Sequence, residues 1–153
     1  MAVLVQIALA APDDYEWCAR LMASIEPWIT LRRDLPGCRN TLTRPGTELF
    51  VARDRAKASP LGFILLAPYG LAASPYIACF AVSPEAQGQG VGSQLLLFTE
   101  EHFRGRNHLF LLVSSFNQRA QEFYRRHGYE HVGELKNYIV HGHSEFIFHK
   151  KLP

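Results

Sequence analysis

The chain has 153 residues, 48% of them hydrophobic and 20% charged, and a formal net charge of +2 at pH 7. This length and composition are typical of a soluble globular protein with a buried core, so we expect residues 1–153 to form a single domain. The small net charge, with no basic run longer than a pair, argues against nucleic acid as a partner. No apolar run reaches the ~18 residues of a membrane span.

The N-terminal segment admits two interpretations. Its apolar run and Ala-x-Ala end resemble a short secretory signal, but no Lys or Arg precedes the run and Gln6 interrupts it. Hydrophobic residues also alternate at positions 3, 5, 7 and 9, which is typical of a strand with one buried face. We favour a first strand that ends at Pro12.

The three cysteines indicate a reducing compartment. Cys18, Cys38 and Cys79 are widely spaced, odd in number and free of any C-x-x-C pattern. We interpret them as reduced, mostly packed thiols of a cytoplasmic protein, and we expect none of them at a position suited to carrying an acyl group.

A first helix is predicted after the strand. Asp13-x-x-Glu16 is typical of a capping box, in which the side chains satisfy free N–H groups of the first turn. Apolar residues then recur at steps of three and four until Pro27, which should stop or kink the helix near Glu26.

A second short helix, or a helical turn, is predicted over residues 28–35, with Pro27 in its first position. Pro36-Gly37 should close it, and residues 39–46 should form a loop. The predicted strands that follow are 47–53, 61–69, 76–82, 108–113, 129–140 and 145–151. Turns are predicted at 54–60, 68–70, 74–75 and 141–144.

A glycine-rich turn at residues 87–93 lies between the strand at 76–82 and a helix whose apolar residues recur from Val91 to His102. The first turn of a helix offers unpaired N–H groups and a partial positive charge, and glycines let a bulky anion approach them. We interpret this turn as a phosphate cradle. The alternative is an ordinary flexible connection.

Two other phosphate-binding motifs do not fit the turn. Gly92-Ser93-Gln94 has no lysine where a P-loop needs one. The dinucleotide fingerprint needs a third glycine within the helix and an acid at the end of the next strand, where the chain instead has Ser114-Ser115. A dinucleotide-binding domain is therefore disfavoured.

A second block follows at residues 117–129. Asn117 is a helix cap by type and position, and Gly128 is a helix stop. Together, Gln87-x-x-Gly90-x-Gly92 and Asn117-x-x-Ala-x-x-Phe-Tyr, followed by Gly128-Tyr129, resemble the GCN5-related N-acetyltransferases, over roughly residues 75 to 135.

The resemblance implies an α/β (α+β) fold. In this family a mixed central sheet of six to seven strands is flanked by about four helices, in the order β-α-α-β-β-β-α-β-α-β-β. It also implies acetyl-CoA as co-substrate, with its pantetheine arm lying along the fourth strand. A bulge that separates the fourth and fifth strands would open the slot, but the sequence does not show one.

The site residues implied by the resemblance share one task, which is to hold acetyl-CoA. They are Phe80, Ala81, Val82, Gln87, Gly88, Gln89, Gly90, Val91, Gly92, Ser93, Asn117 and Tyr124. Tyr124 is the candidate general acid, since a phenol (pKa ~10) and a free thiol (pKa ~8.5) are nearly matched. Without the resemblance it would be interpreted as a core or surface tyrosine. The family often has Arg where this chain has Gln87.

The general base is left open. Residues 75–83 contain no carboxylate, so the candidates are Glu26, Glu48 and Glu145, the imidazoles His141 and His143, or a bound water.

Substrate contacts are expected from the first helices and the last hairpin. The candidate residues are Glu26, Trp28, His141 and Glu145. An exposed Trp28 beside Glu26 would suit a cationic amine, but a Trp packed in the core is the more ordinary interpretation. The His141-x-His143 pair with His149 lacks the partner ligands of a zinc site, and we expect no metal.

The predicted function is therefore acetyl transfer from acetyl-CoA to a primary amine by direct attack in a ternary complex. The amine is a small molecule or a peptide, and a homodimer paired through the last strands is compatible with the sequence. The alternative is a non-catalytic acyl-CoA-binding module or sensor, which the missing strand-four acid favours and Tyr124 disfavours.

Overall fold

The computed structural model describes residues 2–153, and within them a mixed sheet of seven strands carries four helices. In chain order the elements are β1 (Val5–Leu9), α1 (Pro12–Ser24), α2 (Leu35–Leu42), β2 (Glu48–Asp54), β3 (Pro60–Leu71), β4 (Ser74–Val82), α3 (Val91–His102), β5 (His108–Ser114), α4 (Gln118–Arg126), β6 (Glu130–Leu135) and β7 (Glu145–Lys151). This order confirms the predicted one.

The strands lie in the order β1-β2-β3-β4-β5-β7-β6. Strands β1 to β4 are antiparallel neighbours, and β4 and β5 are parallel. A parallel pair needs a long crossover, which α3 provides. The last strand, β7, inserts between β5 and β6 and is antiparallel to both.

Strands β4 and β5 pair over only two positions, Tyr76 with Phe110 and Ile77 with Leu111. The register between β3 and β4 shifts at the same level, because successive β3 residues pair with Ile77 and Cys79 and leave Ala78 as an extra residue. Such a bulge bends a strand and re-aims it. Beyond Ile77, β4 therefore leaves β5 and opens a gap at the carboxyl end of the parallel pair.

The two faces of the sheet carry separate hydrophobic clusters. One, beneath α3 and α4, is built around Leu95, Leu96 and Phe148, each fully buried. The other, beneath α1 and α2, includes Met22 and Phe63, also fully buried. Full burial of each such side chain contributes about 1.5–3 kcal/mol, so both helical layers are anchored to the sheet.

The segment predicted as a short helix or a helical turn over residues 28–35 forms a helical turn, in which the Leu31 N–H donates to the Pro27 carbonyl at 3.0 Å. The helix α2 begins later, at Leu35. Asp34 caps it by accepting a hydrogen bond from the Gly37 N–H at 2.9 Å. Pro36 stands in the first turn, where its missing N–H needs no partner. The Pro36-Gly37 pair therefore begins a helix instead of closing one, and the loop predicted at 39–46 is helical as far as Leu42.

The start of α1 also differs from the prediction. The helix begins at Pro12, and the carboxylate of Asp14 accepts the Ala11 N–H at 2.8 Å. The capping box predicted for Asp13 and Glu16 is wrong, because Glu16 instead holds α2 through two hydrogen bonds from Arg39 at 2.7 and 2.9 Å.

One turn prediction and one strand prediction are also corrected. Strand β3 runs through the predicted turn at 68–70 to Leu71, and the hairpin closes at Ala72-Ala73, where both residues have positive φ. Strand β6 ends at Leu135, so the strand predicted over 129–140 is wrong from residue 136 onward. There Asn137 holds a turn by accepting the Gly142 N–H at 2.7 Å. Among residues 2–153 no helix is long and apolar enough to cross a membrane.

Candidate active site

The glycine-rich loop of residues 87–90 leads directly into α3. Gly88 and Gly90 have φ of +79° and +82°, a left-handed conformation that glycine adopts without strain. No described residue accepts a hydrogen bond from the main-chain N–H groups of residues 88–93. The positive end of α3 therefore presents a row of free donors, the arrangement that binds phosphates in proteins.

Gly92 lets three elements approach one another. A Cβ at this position would lie 3.4 Å from Cζ of Phe123 and 3.7 Å from Cε1 of Phe80. The two rings meet edge to face with their centroids 5.9 Å apart. The first turn of α3 thus rests against aromatic rings from α4 and β4.

A cavity of about 550 Å³, which we call the loop cavity, lies against this turn. Its lining includes all the predicted cofactor-binding residues apart from Gln89. The Gln89 side chain turns away and donates to the carbonyl of Glu85 at 3.1 Å. The structure therefore brings together a set of residues that the sequence places in three separate segments.

Two arginines of the loop cavity were missed by the sequence analysis. Arg119 Nη1 donates a hydrogen bond of 2.8 Å to Oε1 of Gln87, and Arg126 lines the same cavity. The spacing of seven residues puts both on one face of α4, two turns apart. That spacing was the signal available in the sequence. The two arginines supply the positive charge that Gln87 lacks.

The side chain of Ser93 is held from α4. Its Oγ lies 3.1 Å from Nε2 of His127, whose Nδ1 lies 2.8 Å from the carbonyl oxygen of Phe123. Because a carbonyl only accepts, Nδ1 donates to it, and Nε2 pairs with the Ser93 hydroxyl. The Ser93 N–H stays free for a ligand.

A second cavity, of about 570 Å³, lies among residues 27–44, residues 76–80 in the middle of β4, residues 111–114 at the end of β5, and residues 135–145. We call it the distal cavity. Pro27, Phe80, Asn117, Ala120 and Tyr124 line both cavities. The two spaces therefore meet where β4 leaves β5.

Tyr124 stands at this junction. The residue is 7% exposed, and its ring packs edge to face on Phe80 with centroids 6.1 Å apart. No described residue hydrogen-bonds its hydroxyl, and no described polar side-chain atom is sealed from solvent without a partner, so the hydroxyl faces the open space. Burial raises the pKa of Tyr124 well above its ordinary value. The phenol therefore keeps its proton at neutral pH.

Of the three candidate carboxylates, Glu145 is the one that lies in the distal cavity. It is 4% exposed, and its Oε2 accepts a hydrogen bond of 2.8 Å from Ser114 Oγ. Burial raises the pKa of this carboxyl, while the Ser114 hydrogen bond and His143 act in the opposite direction. Glu26 lines the loop cavity, where it is exposed and its carboxylate accepts two hydrogen bonds from Thr30. Glu48 lies 3.1 Å from His102, outside both cavities.

The remaining predicted substrate residues have different positions. Trp28 is 8% exposed and packs in the core beneath α1 and α2, so it forms a wall of the distal cavity instead of an exposed platform. His141 is exposed and lines neither cavity. Among residues 2–153 no three His, Cys, Asp or Glu side chains come together as metal ligands.

All three cysteines are buried and free, which confirms the prediction of packed thiols. Cys79 lines the distal cavity, as Tyr124 does. Burial raises the pKa of the Cys79 thiol to about 12. The thiolate needed for covalent catalysis is therefore scarce at neutral pH.

A family model described as an acetyltransferase (GNAT) domain matches residues 45–131. A solved structure from Desulfovibrio desulfuricans, assigned to the GNAT family, shares 20% identity at a TM-score of 0.81, with 98% of this chain and 100% of that chain covered. The comparison with curated proteins found no match.

Two further solved structures are similar. Nourseothricin acetyltransferase shares 27% identity at a TM-score of 0.63, with 71% of this chain and 67% of that chain covered. The spermidine N-acetyltransferase of Vibrio cholerae, solved with CoA and spermine, shares 14% identity at a TM-score of 0.74, with 96% and 95% covered. The likenesses below 25% identity show a common fold.

Proposed function

Since the chain belongs to the GNAT acetyltransferase family, we propose that it transfers an acetyl group from acetyl-CoA to a primary amine by direct attack in a ternary complex. One observation carries the proposal. The loop cavity, which has the free N–H groups, and the distal cavity, which has a buried carboxylate, meet at Tyr124. A donor and an acceptor that enter from opposite sides would touch there.

The loop cavity fits the diphosphate of acetyl-CoA. Free N–H groups of residues 88–93 and the cationic side chains of Arg119 and Arg126 complement its negative charge, and charge-assisted hydrogen bonds are roughly twice as strong as neutral ones. The Vibrio cholerae protein of the same fold was solved with CoA. When bound, acetyl-CoA supplies an activated thioester.

The end of β4 would hold the pantetheine arm. Residues 80–82 pair with β3 on one side only, because β5 no longer pairs with β4 at this level. Their outward main-chain groups can therefore bond to an extended chain, as an added strand would. A backbone N–H at Phe80 or Ala81 would polarise the thioester carbonyl, a contact of ~3 kcal/mol in comparable sites.

Tyr124 would donate its proton to the departing sulfur. Its raised pKa keeps the phenol protonated before transfer, and its hydroxyl faces the junction of the cavities. The sulfur, which gains negative charge as the C–S bond breaks, is the group that needs this donor.

Glu145 would take the proton from the attacking ammonium. A carboxyl with a raised pKa is a better base near neutral pH than an ordinary one. Ser114 orients the carboxylate through Oε2, which leaves Oε1 for the amine. The general base would then be a carboxylate on β7, since β4 has none.

The experiment measures CoA release from acetyl-CoA with a panel of amines. Tyr124→Phe should lower kcat by about 10²–10⁴-fold and leave the calorimetric affinity for CoA within about twofold, because the hydroxyl has no described partner to lose. Tyr69→Phe, the same change on a tyrosine that is 74% exposed, is the control. Turnover by Tyr124→Phe at the wild-type rate would overturn the role of the phenol.

A non-catalytic acyl-CoA-binding module is the second candidate, and the lack of a carboxylate on β4 favours it. It predicts tight CoA binding with no turnover on any amine. The same panel separates the two, since any amine-dependent release above hydrolysis excludes the binding module.

A further inference from the structure

The distal cavity is bordered by two guanidinium groups as well as by Glu145. Arg33 and Arg44 both line it, Arg33 half-buried and Arg44 exposed at its edge. Neither has a carboxylate within ion-pair distance among the described residues. Two cations beside one cavity without counter-ions favour an anion there.

The Arg33 side chain is held in place before any ligand binds. Its Nη1 donates to Oγ1 of Thr41 at 2.7 Å, and that hydroxyl donates to the Gly37 carbonyl at 3.0 Å. The stem lies so close to Gly37 that a Cβ there would come within 3.0 Å of the Arg33 Cδ. The neighbouring acid, Asp34, is occupied as the helix cap. Little side-chain freedom is left for a ligand to restrict.

The cavity is bordered by charges of both signs. Tyr76, half-buried in the cavity lining, has a pKa raised first by burial and further by Cys79, Tyr138 and Glu145, whereas Arg44 opposes that rise. Charges of both signs therefore act on one half-buried phenol. Apolar side chains, among them Trp28 and Leu31, also line the cavity.

We propose that the acceptor is a small primary amine that also carries an anionic group, a carboxylate or a phosphate. Arg33 and Arg44 bind the anion, and Glu145 receives the ammonium. This inference rests on the proposed function. Guanidinium groups match both anions through paired N–H donors, and about 570 Å³ is the volume of a small-molecule site. Acceptors with several cations and no anion are disfavoured, because they would meet two unpaired guanidiniums.

The first test compares acceptors that differ only in the anion. Phenylalanine is paired with phenethylamine, γ-aminobutyrate with propylamine, and O-phosphoethanolamine with ethanolamine, with rates expressed per concentration of free amine. The anionic member should have a kcat/KM higher by about tenfold to a hundredfold. The first two pairs report on a carboxylate and the third on a phosphate, so they distinguish the two anions.

The second test removes each guanidinium. Arg33→Gln and Arg44→Gln should each raise KM for the preferred anionic acceptor by about tenfold and leave kcat/KM for the paired amine that lacks the anion within twofold. Arg32→Gln is the matched control, since it makes the same change one residue away, on a side chain that is exposed and lines neither cavity.

Two results overturn the inference and leave the proposed function standing. One is an equal or higher kcat/KM for the member of each pair without the anion, and the other is a loss in Arg33→Gln and Arg44→Gln no larger than in Arg32→Gln. Turnover on no amine contradicts the proposed function instead. Calorimetric titration of the same pairs into CoA-loaded protein then decides the inference, which fails if the anionic member binds no more tightly.

Discussion

The guanidinium of Arg119 donates a hydrogen bond of 2.8 Å to the side-chain oxygen of Gln87, and so joins α4 to the loop that precedes α3. The loop has no cationic side chain of its own between residues 87 and 93. Arg119 brings one to it from 32 residues along the chain. The charge in the loop cavity therefore depends on how α4 is docked.

Arg119→Gln should weaken CoA binding by about tenfold, the value of one charge-assisted hydrogen bond. The affinity of the variant should also depend less on salt, because one exposed cation is removed. Titration calorimetry at two salt concentrations measures both effects. Arg55→Gln, on an exposed turn outside both cavities, should change neither. Equal losses in the two variants would indicate a general charge effect.

Gly92→Ala and Gly88→Ala should separate binding from stability. An alanine at 92 suits the helix and meets Phe123 at an ordinary contact distance of 3.4 Å, so the free energy of unfolding should change by less than about 1 kcal/mol. The new methyl group stands beside free N–H groups, and CoA affinity should fall.

Gly88 has φ +79°, so its alanine should lower the free energy of unfolding by about 1–2 kcal/mol. Chemical denaturation measures the free energy of unfolding of both variants, and calorimetry measures their CoA affinity. An unchanged CoA affinity in Gly92→Ala would contradict the close approach of the ligand to this turn.

Glu145→Gln should change how stability depends on pH. Burial raises the pKa of Glu145 in the folded protein, so the fold disfavours its ionised form. The stability that the protonated form contributes is full below the unfolded pKa of ~4.3 and is lost as the pH rises through the folded value. The neutral glutamine avoids this loss and can still accept from Ser114. The Tm of the variant relative to wild type should increase between pH 4 and pH 8, and a flat or falling difference would contradict the raised pKa.

Lys150→Met should destabilise the fold by about 2 kcal/mol, less than the ~3–5 kcal/mol of a fully buried pair. Lys150 Nζ donates to Glu100 at 3.0 Å and to the His127 carbonyl at 2.8 Å, with 27% of the lysine side chain and 14% of the glutamate side chain exposed. Removal of the cation leaves Glu100 with only the Tyr129 hydroxyl, at 2.8 Å.

Urea denaturation of Lys150→Met measures this loss, with Lys151→Met, the exposed neighbour, as the control. The double variant Glu100→Gln with Lys150→Met should regain part of the stability, because the unpaired charge is gone. If the two single changes add without coupling, the pair is not the reason for the loss.

Local sequence signals predicted those parts of the fold that nearby residues decide. Asn117 caps α4 by accepting the Ala120 N–H at 3.2 Å, and Gly128 ends it with φ +88°. Each depends on contacts within a few residues. The same local signals failed at Pro36-Gly37, because a proline suits the first turn of a helix as well as the region after its end.

The sequence by itself determined the order of strands and helices, the glycine-rich turn before α3 and the tyrosine that follows Phe123, since each is written in a short run of residues. Only the tertiary structure decided that Ala78 bulges, that Glu145 meets Ser114 across 31 residues and that Arg33 and Arg44 face the same space. The physical reason is separation along the chain. A strand register and the docking of a helix bring distant side chains together, and no spacing within one segment records where they meet.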